Sequence, residues 1–168
     1  AEGGAIFNNG TSLTVSNSTF TSNSQPTTVA GDDGGGAIFT EGGTTTITGS
    51  TFNSNTVASN GGAIYADNNI SSEVATSLSI TNSTFSGNTS LNSGGAVAAY
   101  GDPTVTMENC TLSGNTASTS TSPPFPGGAI NNTPSTGTFT VSNTILANSG
   151  ASKNCAGTIT NGNYNISD

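Results

Sequence analysis

The sequence predicts an all-β chain folded as a right-handed parallel β-helix, a β-solenoid of about five turns with three short strands in each. Three observations point there. Two short motifs recur five times in a fixed order. The residues between them alternate with period two. The charge normally found on a globular surface is replaced by Ser, Thr, Asn and Gly: 6% of the 168 residues are charged, against a norm of about 25%. The whole chain, 1–168, reads as one solenoid domain.

The first motif, Gly-Gly-Ala-Ile/Val, begins at Gly3, Gly35, Gly61, Gly94 and Gly127. The second follows each time as Phe20-Thr-Ser-Asn23, Phe52-Asn-Ser-Asn55, Phe85-Ser-Gly-Asn88, Leu112-Ser-Gly-Asn115 and a degenerate Ile145-Leu-Ala-Asn148. Between them run Ser-Leu13-Thr-Val15, Thr-Thr45-Thr-Ile47, Ser-Leu78-Ser-Ile80, Thr-Val105-Thr-Met107 and Thr-Phe139-Thr-Val141. Alternation with period two is the signature of a strand. Thr, Val, Ile and Phe suit a pleated surface, and Gly, Asn and Ser suit the turns between strands.

One copy cannot bury its own apolar face, whereas stacked copies place like side chains on like side chains about 4.8 Å apart. The predicted inward columns are Ile6/Ile38/Ile64/Val97/Ile130, Leu13/Thr45/Leu78/Val105/Phe139 and Val15/Ile47/Ile80/Met107/Val141. A fourth is Phe20/Phe52/Phe85/Leu112, closed by either Ile145 or Leu146. The second glycine of each pair, Gly4, Gly36, Gly62, Gly95 and Gly128, is expected on the inward side of a tight corner, where only glycine permits close backbone approach. Asn23, Asn55, Asn88, Asn115 and Asn148 are expected at another corner, as a ladder of amides hydrogen-bonded along the axis. Length variation between copies falls at residues 25–33, 68–75 and 118–126, which are expected to be loops.

These motifs resemble the chlamydial polymorphic outer membrane protein repeat, whose paired hallmarks are Gly-Gly-Ala-Ile and Phe-x-x-Asn. The resemblance runs from about residue 3 to 148, and Leu112 and Ile145 depart from it in the second motif. Residues 143–165 are similar to the C-terminal turn of bacterial secreted β-helix proteins. The resemblance implies export, a surface or adhesin role and no catalytic residue. The transporter barrel of an autotransporter is absent from this sequence, so an excerpt of a longer precursor or a free secreted subunit is expected.

The chain carries nine acidic residues, one basic residue (Lys153) and no His, for a net charge of −8. Binding to nucleic acid or to an anionic membrane requires cations, so neither partner is expected. No apolar run is long enough to span a bilayer. Polysaccharide-active enzymes share the fold class, but acid–base chemistry here would have only carboxylates and tyrosines to draw on. A serine nucleophile would lack an imidazole base. Asp32 and Asp33, adjacent in a Gly-rich segment, are weak calcium candidates. No enzyme activity and no cofactor are expected.

Three surface features are left for binding. The outward residues of the central strands form hydroxyl columns, for example Thr44-Thr46-Thr48 and Thr104-Thr106-Glu108. These suit an ordinary polar sheet better than an ice-binding lattice. Phe7, Phe39 and Tyr65 follow the inward Ile of three successive copies, so they point outward, either exposed for surface contact or covered by loops. Eight Asn-x-Ser/Thr sequons, at Asn9, Asn17, Asn69, Asn82, Asn88, Asn109, Asn131 and Asn165, would carry glycans only in a competent host. Cys110 and Cys155 are either two semi-buried thiols or a disulfide pinning the C-terminal segment. The expected role is structural or adhesive, outside the cell or on its surface. The expected partners are surface or matrix glycans and proteins, or other copies of the chain stacked head to tail into a filament.

Overall fold

A computed structural model describes residues 3–10, 12–26, 34–68, 74–118, 127–132, 136–149 and 153–168. Its strands form six stacked rungs. The first holds β1 (Ile6–Asn9), β2 (Ser12–Ser16), β3 (Thr19–Thr21) and β4 (Ser24–Gln25). The second holds β5 (Ile38–Glu41), β6 (Gly43–Thr48), β7 (Thr51–Asn53) and β8 (Thr56–Val57). The third holds β9 (Ile64–Asp67), β10 (Thr76–Thr81), β11 (Thr84–Ser86) and β12 (Thr89–Ser90). The fourth holds β13 (Val97–Tyr100), β14 (Thr104–Glu108), β15 (Thr111–Ser113) and β16 (Thr116–Ala117). The fifth holds β17 (Ile130–Asn132), β18 (Thr138–Ser142) and β19 (Ile145–Ala147), and the sixth β20 (Cys155–Gly157), β21 (Thr160–Asn161) and β22 (Ile166–Ser167).

Every pairing is parallel and joins one rung to the next. The result is a parallel β-helix with four sheets: A (β1, β5, β9, β13, β17, β20), B (β2, β6, β10, β14, β18, β21), C (β3, β7, β11, β15, β19, β22) and D (β4, β8, β12, β16). Two features exceed the sequence expectation. A short sixth rung extends the five repeats, and a two-residue strand in each of the first four rungs builds sheet D.

The predicted inward columns form in register. Ile38, Ile64, Val97 and Ile130 are fully buried, as are Ile47, Ile80, Met107, Phe52 and Phe85. Sheet C settles the fourth column: Leu112 pairs with Leu146, which is buried, while Ile145 points outward and is exposed. Phe20, Phe52 and Phe85 stack face to face with centroids 4.8 Å apart. Thr45 is the polar member of its column. Its hydroxyl lies 2.8 Å from that of Thr40 and accepts from Asn8 Nδ2 at 3.2 Å, so the buried group is satisfied. Ile6, Leu13 and Phe20, in the first rung, are half-buried and pack against the same core.

The glycine corner is tight against backbone, both of the next rung and of the same rung's sheet D strand. A Cβ on Gly36 would lie 1.9 Å from the carbonyl oxygen of Gly62, and one on Gly62 would lie 2.0 Å from that of Gly95. Gly4 and Gly95 face the next rung's carbonyl in the same way, and Gly128 faces Ser149. Each glycine thus lets two rungs approach through their backbones.

Candidate binding faces and internal ladders

The asparagine ladder runs through three sites that are completely buried: Asn55, Asn88 and Asn115. The backbone N–H and Nδ2 of Asn23 donate to Asn55 Oδ1 at 3.0 and 2.9 Å. Asn55 does the same to Asn88 Oδ1 at 2.9 and 2.9 Å, and Asn88 to Asn115 Oδ1 at 3.1 and 2.8 Å. Each Nδ2 also donates back to the carbonyl of the preceding rung's phenylalanine: Asn55 to Phe20, Asn88 to Phe52, Asn115 to Phe85, all at 3.0 Å. One amide per rung therefore seals the corner between sheets C and D.

Asn148 is not part of that ladder. Because Leu146 takes the aromatic position, the residue three further on is Ser149, which is buried and bonded to Asn154. Asn148 sits one position earlier, exposed, with φ +57, where the other rungs place Ser22, Ser54, Gly87 and Gly114, all with positive φ. Its N–H donates to the Asp168 carboxylate at 3.0 Å. Hydrogen bonds from the Asn154 amide and then from that N–H hold the Asp168 carboxyl below its usual range.

A second ladder closes the corner between sheets B and C. Ser18 N–H donates to Ser50 Oγ at 3.2 Å, and Ser50 N–H to Ser83 Oγ at 3.1 Å. Cys110 occupies the next position, with Thr144 below it: Cys110 Sγ donates to the Glu108 carbonyl at 3.2 Å, and its N–H donates to Thr144 Oγ1 at 3.3 Å. The residue just before this ladder has positive φ in each rung: Asn17, Gly49, Asn82, Asn109 and Asn143. Asn is among the few side chains that tolerate that region. The sequons at 17, 82 and 109 thus arise from three structural demands in a row: a left-handed corner, a ladder side chain and a strand threonine. These three asparagines are exposed, whereas the sequon residues Asn88 and Asn131 are buried.

Cys110 and Cys155 are both free, so the expected disulfide alternative is not formed. Cys110 lies at the B–C corner and Cys155 pairs with Ile130 in sheet A, so the two sit on different walls. Burial raises both thiols above the ordinary value; for Cys110 the hydrogen bond from Ser83 N–H opposes the shift.

The outward aromatic column is mostly covered. Phe7 is 46% exposed, but Phe39 and Tyr65 are 0% and 1% exposed. Phe39 stacks between Phe7 and Tyr65 at 5.2 and 5.4 Å and forms a small second cluster with Tyr65, Ala98 and Tyr100. Two positions further along sheet A, Glu41 and Asp67 are Cα partners, and both carboxylates are buried. The sequence reading missed this pair because 26 residues separate them. The column positions, three beyond Ile38 and Ile64, would have found it. Asp32 and Asp33 lie outside the described residues. Among the described residues, no three His, Cys, Asp or Glu side chains cluster as metal ligands.

Accessible chemistry is concentrated on the outer faces of sheets B, C and D. Thr44, Thr48, Thr104, Thr106 and Thr138 are exposed on sheet B, and Thr48 and Thr81 share a hydrogen bond across rungs at 3.1 Å. Sheet D carries a shallow groove of about 360 Å³ lined by Ser24, Gln25, Pro26, Thr56, Val57, Ala58, Thr89 and Leu91, none of them charged. Such surfaces offer hydroxyl and amide hydrogen bonding and apolar contact, and among the described strands of these sheets Glu108, at the end of β14, is the one acidic side chain.

No curated protein and no solved structure matches the chain. The family model of the Chlamydia polymorphic membrane protein (Chlamydia_PMP) repeat matches residues 49–67 and 82–100. Both segments have the same structural limits. Each begins at a left-handed corner, Gly49 or Asn82, passes through sheets C and D, and ends with the last residue of a sheet A strand, Asp67 or Tyr100. The matched segments therefore take in the ladder corner together with the glycine corner. Two segments of the β-helix thus match the Chlamydia polymorphic membrane protein repeat, a repeat of outer-membrane and surface proteins.

Proposed function

We propose that the chain is a non-catalytic, extracellular structural and adhesive β-solenoid, displayed at a cell surface or secreted. The observation that carries this reading is the division of labour in the side chains. Both repeated motifs are consumed by backbone closure, the acidic pair Glu41 and Asp67 is buried, and the exposed faces present hydroxyls and amides. A chain with one Lys or Arg and no His presents little acid–base machinery. A rigid face of short hydroxyls suits contact with glycans or protein backbones, made through many weak hydrogen bonds. With Phe39 and Tyr65 covered, contact falls to the hydroxyl faces and the sheet D groove.

The test is adhesion. Beads coated with the chain are applied to a panel of cultured cells and matrix glycans, with soluble chain as competitor. Retention that soluble chain competes away, and that falls when exposed Thr44 and Thr106 are replaced by Lys, supports the reading. Retention no greater than that of beads coated with an inert protein refutes the adhesive role. Sugar release that disappears in Glu41→Gln or Asp67→Asn refutes the non-catalytic one.

A further inference from the structure

The sequons at the B–C corner contain one group that the fold leaves idle. In the third and fourth rungs their middle residues, Ser83 and Cys110, are buried ladder members, and Thr84 and Thr111 begin the sheet C strands. The corner residue itself need only accept a positive φ. Gly49 does so without a side chain in the second rung, and Ser22 and Ser54 do so beside the asparagine ladder. Yet asparagine fills four of the five B–C corners, at 17, 82, 109 and 143, and one of the five positions beside the asparagine ladder, at 148. The wall uses the backbone of the corner residue in the same way in either case: Gly49 N–H donates to Thr81 O at 3.1 Å, and Asn82 N–H to Glu108 O at 3.0 Å. The Asn82 side chain is exposed and makes no hydrogen bond among the described residues, so this closure does not use its amide.

The other sequons in these rungs differ in ways that matter for chemistry at Nδ2. Asn88 is fully buried, and its Nδ2 donates to Phe52 O and Asn115 Oδ1 at 3.0 and 2.8 Å. Asn109 is exposed with Nδ2 free, but its Oδ1 accepts from Asn143 Nδ2. The hydroxyl-bearing residue two positions on follows the same order: Thr84 is exposed and Thr111 is half-buried.

We propose that the B–C corner is an acceptor row for N-linked sugar, added to the folded chain, with Asn82 the primary site and Asn109 the secondary one. Asn82 Nδ2 forms a bond to the anomeric carbon of an activated hexose, carried on a nucleoside diphosphate or a lipid pyrophosphate. The bond from that carbon to the phosphate oxygen breaks, the leaving phosphate takes the electron pair, and one Nδ2 proton passes to a base of the transferase. An N-linked sugar is bulky and belongs on a surface; on this corner it stands outside the wall and displaces no hydrogen bond. Consecutive rungs are about 4.8 Å apart, so a sugar on Asn82 crowds Asn109 and the second site fills more slowly. The modification is independent of adhesion, which needs no sugar on the chain.

The probe is a soluble N-glycosyltransferase specific for Asn-x-Ser/Thr, with a nucleoside-diphosphate hexose as donor, acting on folded chain made in a host without N-glycosylation. Peptide mass spectrometry is expected to show one hexose on Asn82, a slower one on Asn109 and none on Asn88. A synthetic peptide of residues 78–92 holds the Asn82 and Asn88 sequons without the fold and is expected to take hexose on both. Asn82→Gln and Thr84→Ala, checked for folding by circular dichroism, are expected to abolish the first site. Gly49→Asn completes the same sequon with Ser50 and Thr51 and is expected to gain one hexose. The nearest atom to its new Cβ is Asn17 Oδ1 at 2.7 Å, the far end of a flexible side chain. Folded chain that stays unmodified while the peptide is modified overturns the proposal, and so does equal modification of Asn82 and Asn88 in the folded chain. Chain isolated from its native cells with a bare Asn82 overturns it as well.

Discussion

Replacing Asn88 by Ala removes a side chain with all its hydrogen-bonding groups engaged inside the wall. Its Oδ1 accepts from the N–H and Nδ2 of Asn55, and its Nδ2 donates to Phe52 O and Asn115 Oδ1, at 2.8–3.0 Å. Asn55 Nδ2 keeps Phe20 O, and Asn115 Oδ1 keeps Asn88 N–H. The groups hurt most are the Asn55 N–H, which loses its partner, and the Phe52 carbonyl, which loses its amide donor. A buried polar group left unmet costs about 1–3 kcal/mol, so the truncation should cost about 2–5 kcal/mol. For a chain of this size each kcal/mol moves the midpoint by about 2–4 °C, so a 3 kcal/mol loss is a drop of about 6–12 °C. Urea and thermal unfolding followed by circular dichroism measure it. The control is Asn148→Ala, which removes the same side chain from an exposed corner and should stay within about 0.5 kcal/mol. If Asn88→Ala loses less than about 1 kcal/mol, or Asn148→Ala loses as much, the ladder assignment is wrong.

The glycine corner gives a second contrast. Gly62→Ala drives a Cβ to 2.0 Å from Gly95 O and 2.7 Å from Thr89 N, both backbone, and should cost more than about 3 kcal/mol. Gly10→Ala meets nothing within 4 Å and bears only the strain of its positive φ, about 1–2 kcal/mol, read by the same unfolding curves. Cys110→Ser should be tolerated within about 1 kcal/mol at neutral pH, because serine fills that ladder position in three other rungs. Since burial raises the folded thiol, its contribution is complete below the ordinary value of 9.0 and is lost as pH rises above that value. The wild-type chain should therefore weaken in alkali more than Cys110→Ser does, as alkaline unfolding curves would show. At the other end of the scale the Asp168 carboxyl is depressed, so its support is present at neutral pH. It fades as pH falls below 3.8, and Asp168→Asn should remove that acid dependence.

Much of this architecture was legible in the residues because a solenoid repeats its instructions. Period-two alternation over Leu78-Ser-Ile80 or Val105-Thr-Met107 fixes which side faces in, and five copies fix the columns. Sheet D was illegible because two residues such as Thr56-Val57 are too few to show alternation. The sixth rung was visible only as a resemblance, since Cys155–Gly157 and Thr160–Asn161 carry neither motif. The slip at Asn148 came from reading Ile145 as the aromatic position; shifting by one residue exchanges the faces of a strand. Alternation also placed Phe39 and Tyr65 on the outward side of sheet A, but it says nothing about what lies over them. The Glu41–Asp67 pair and the sequons as corner motifs needed rung registers and backbone angles, which no linear spacing displays.

Distances along the axis test the central claim, stacked rungs in register, most directly. Thr14, Thr46, Ser79, Thr106 and Thr140 occupy one outward column of sheet B on five successive rungs. With both cysteines replaced by serine, spin labels on Thr14 and Thr106 bridge three rung steps, and labels on Thr14 and Thr140 bridge four. At about 4.8 Å per rung, the backbone separations are about 14 and 19 Å. Pulsed electron spin resonance should show two narrow distributions differing by one rung step. Broad distributions, or a Thr14–Thr140 distance that does not exceed the Thr14–Thr106 distance, would contradict the fold and the ladders built on it.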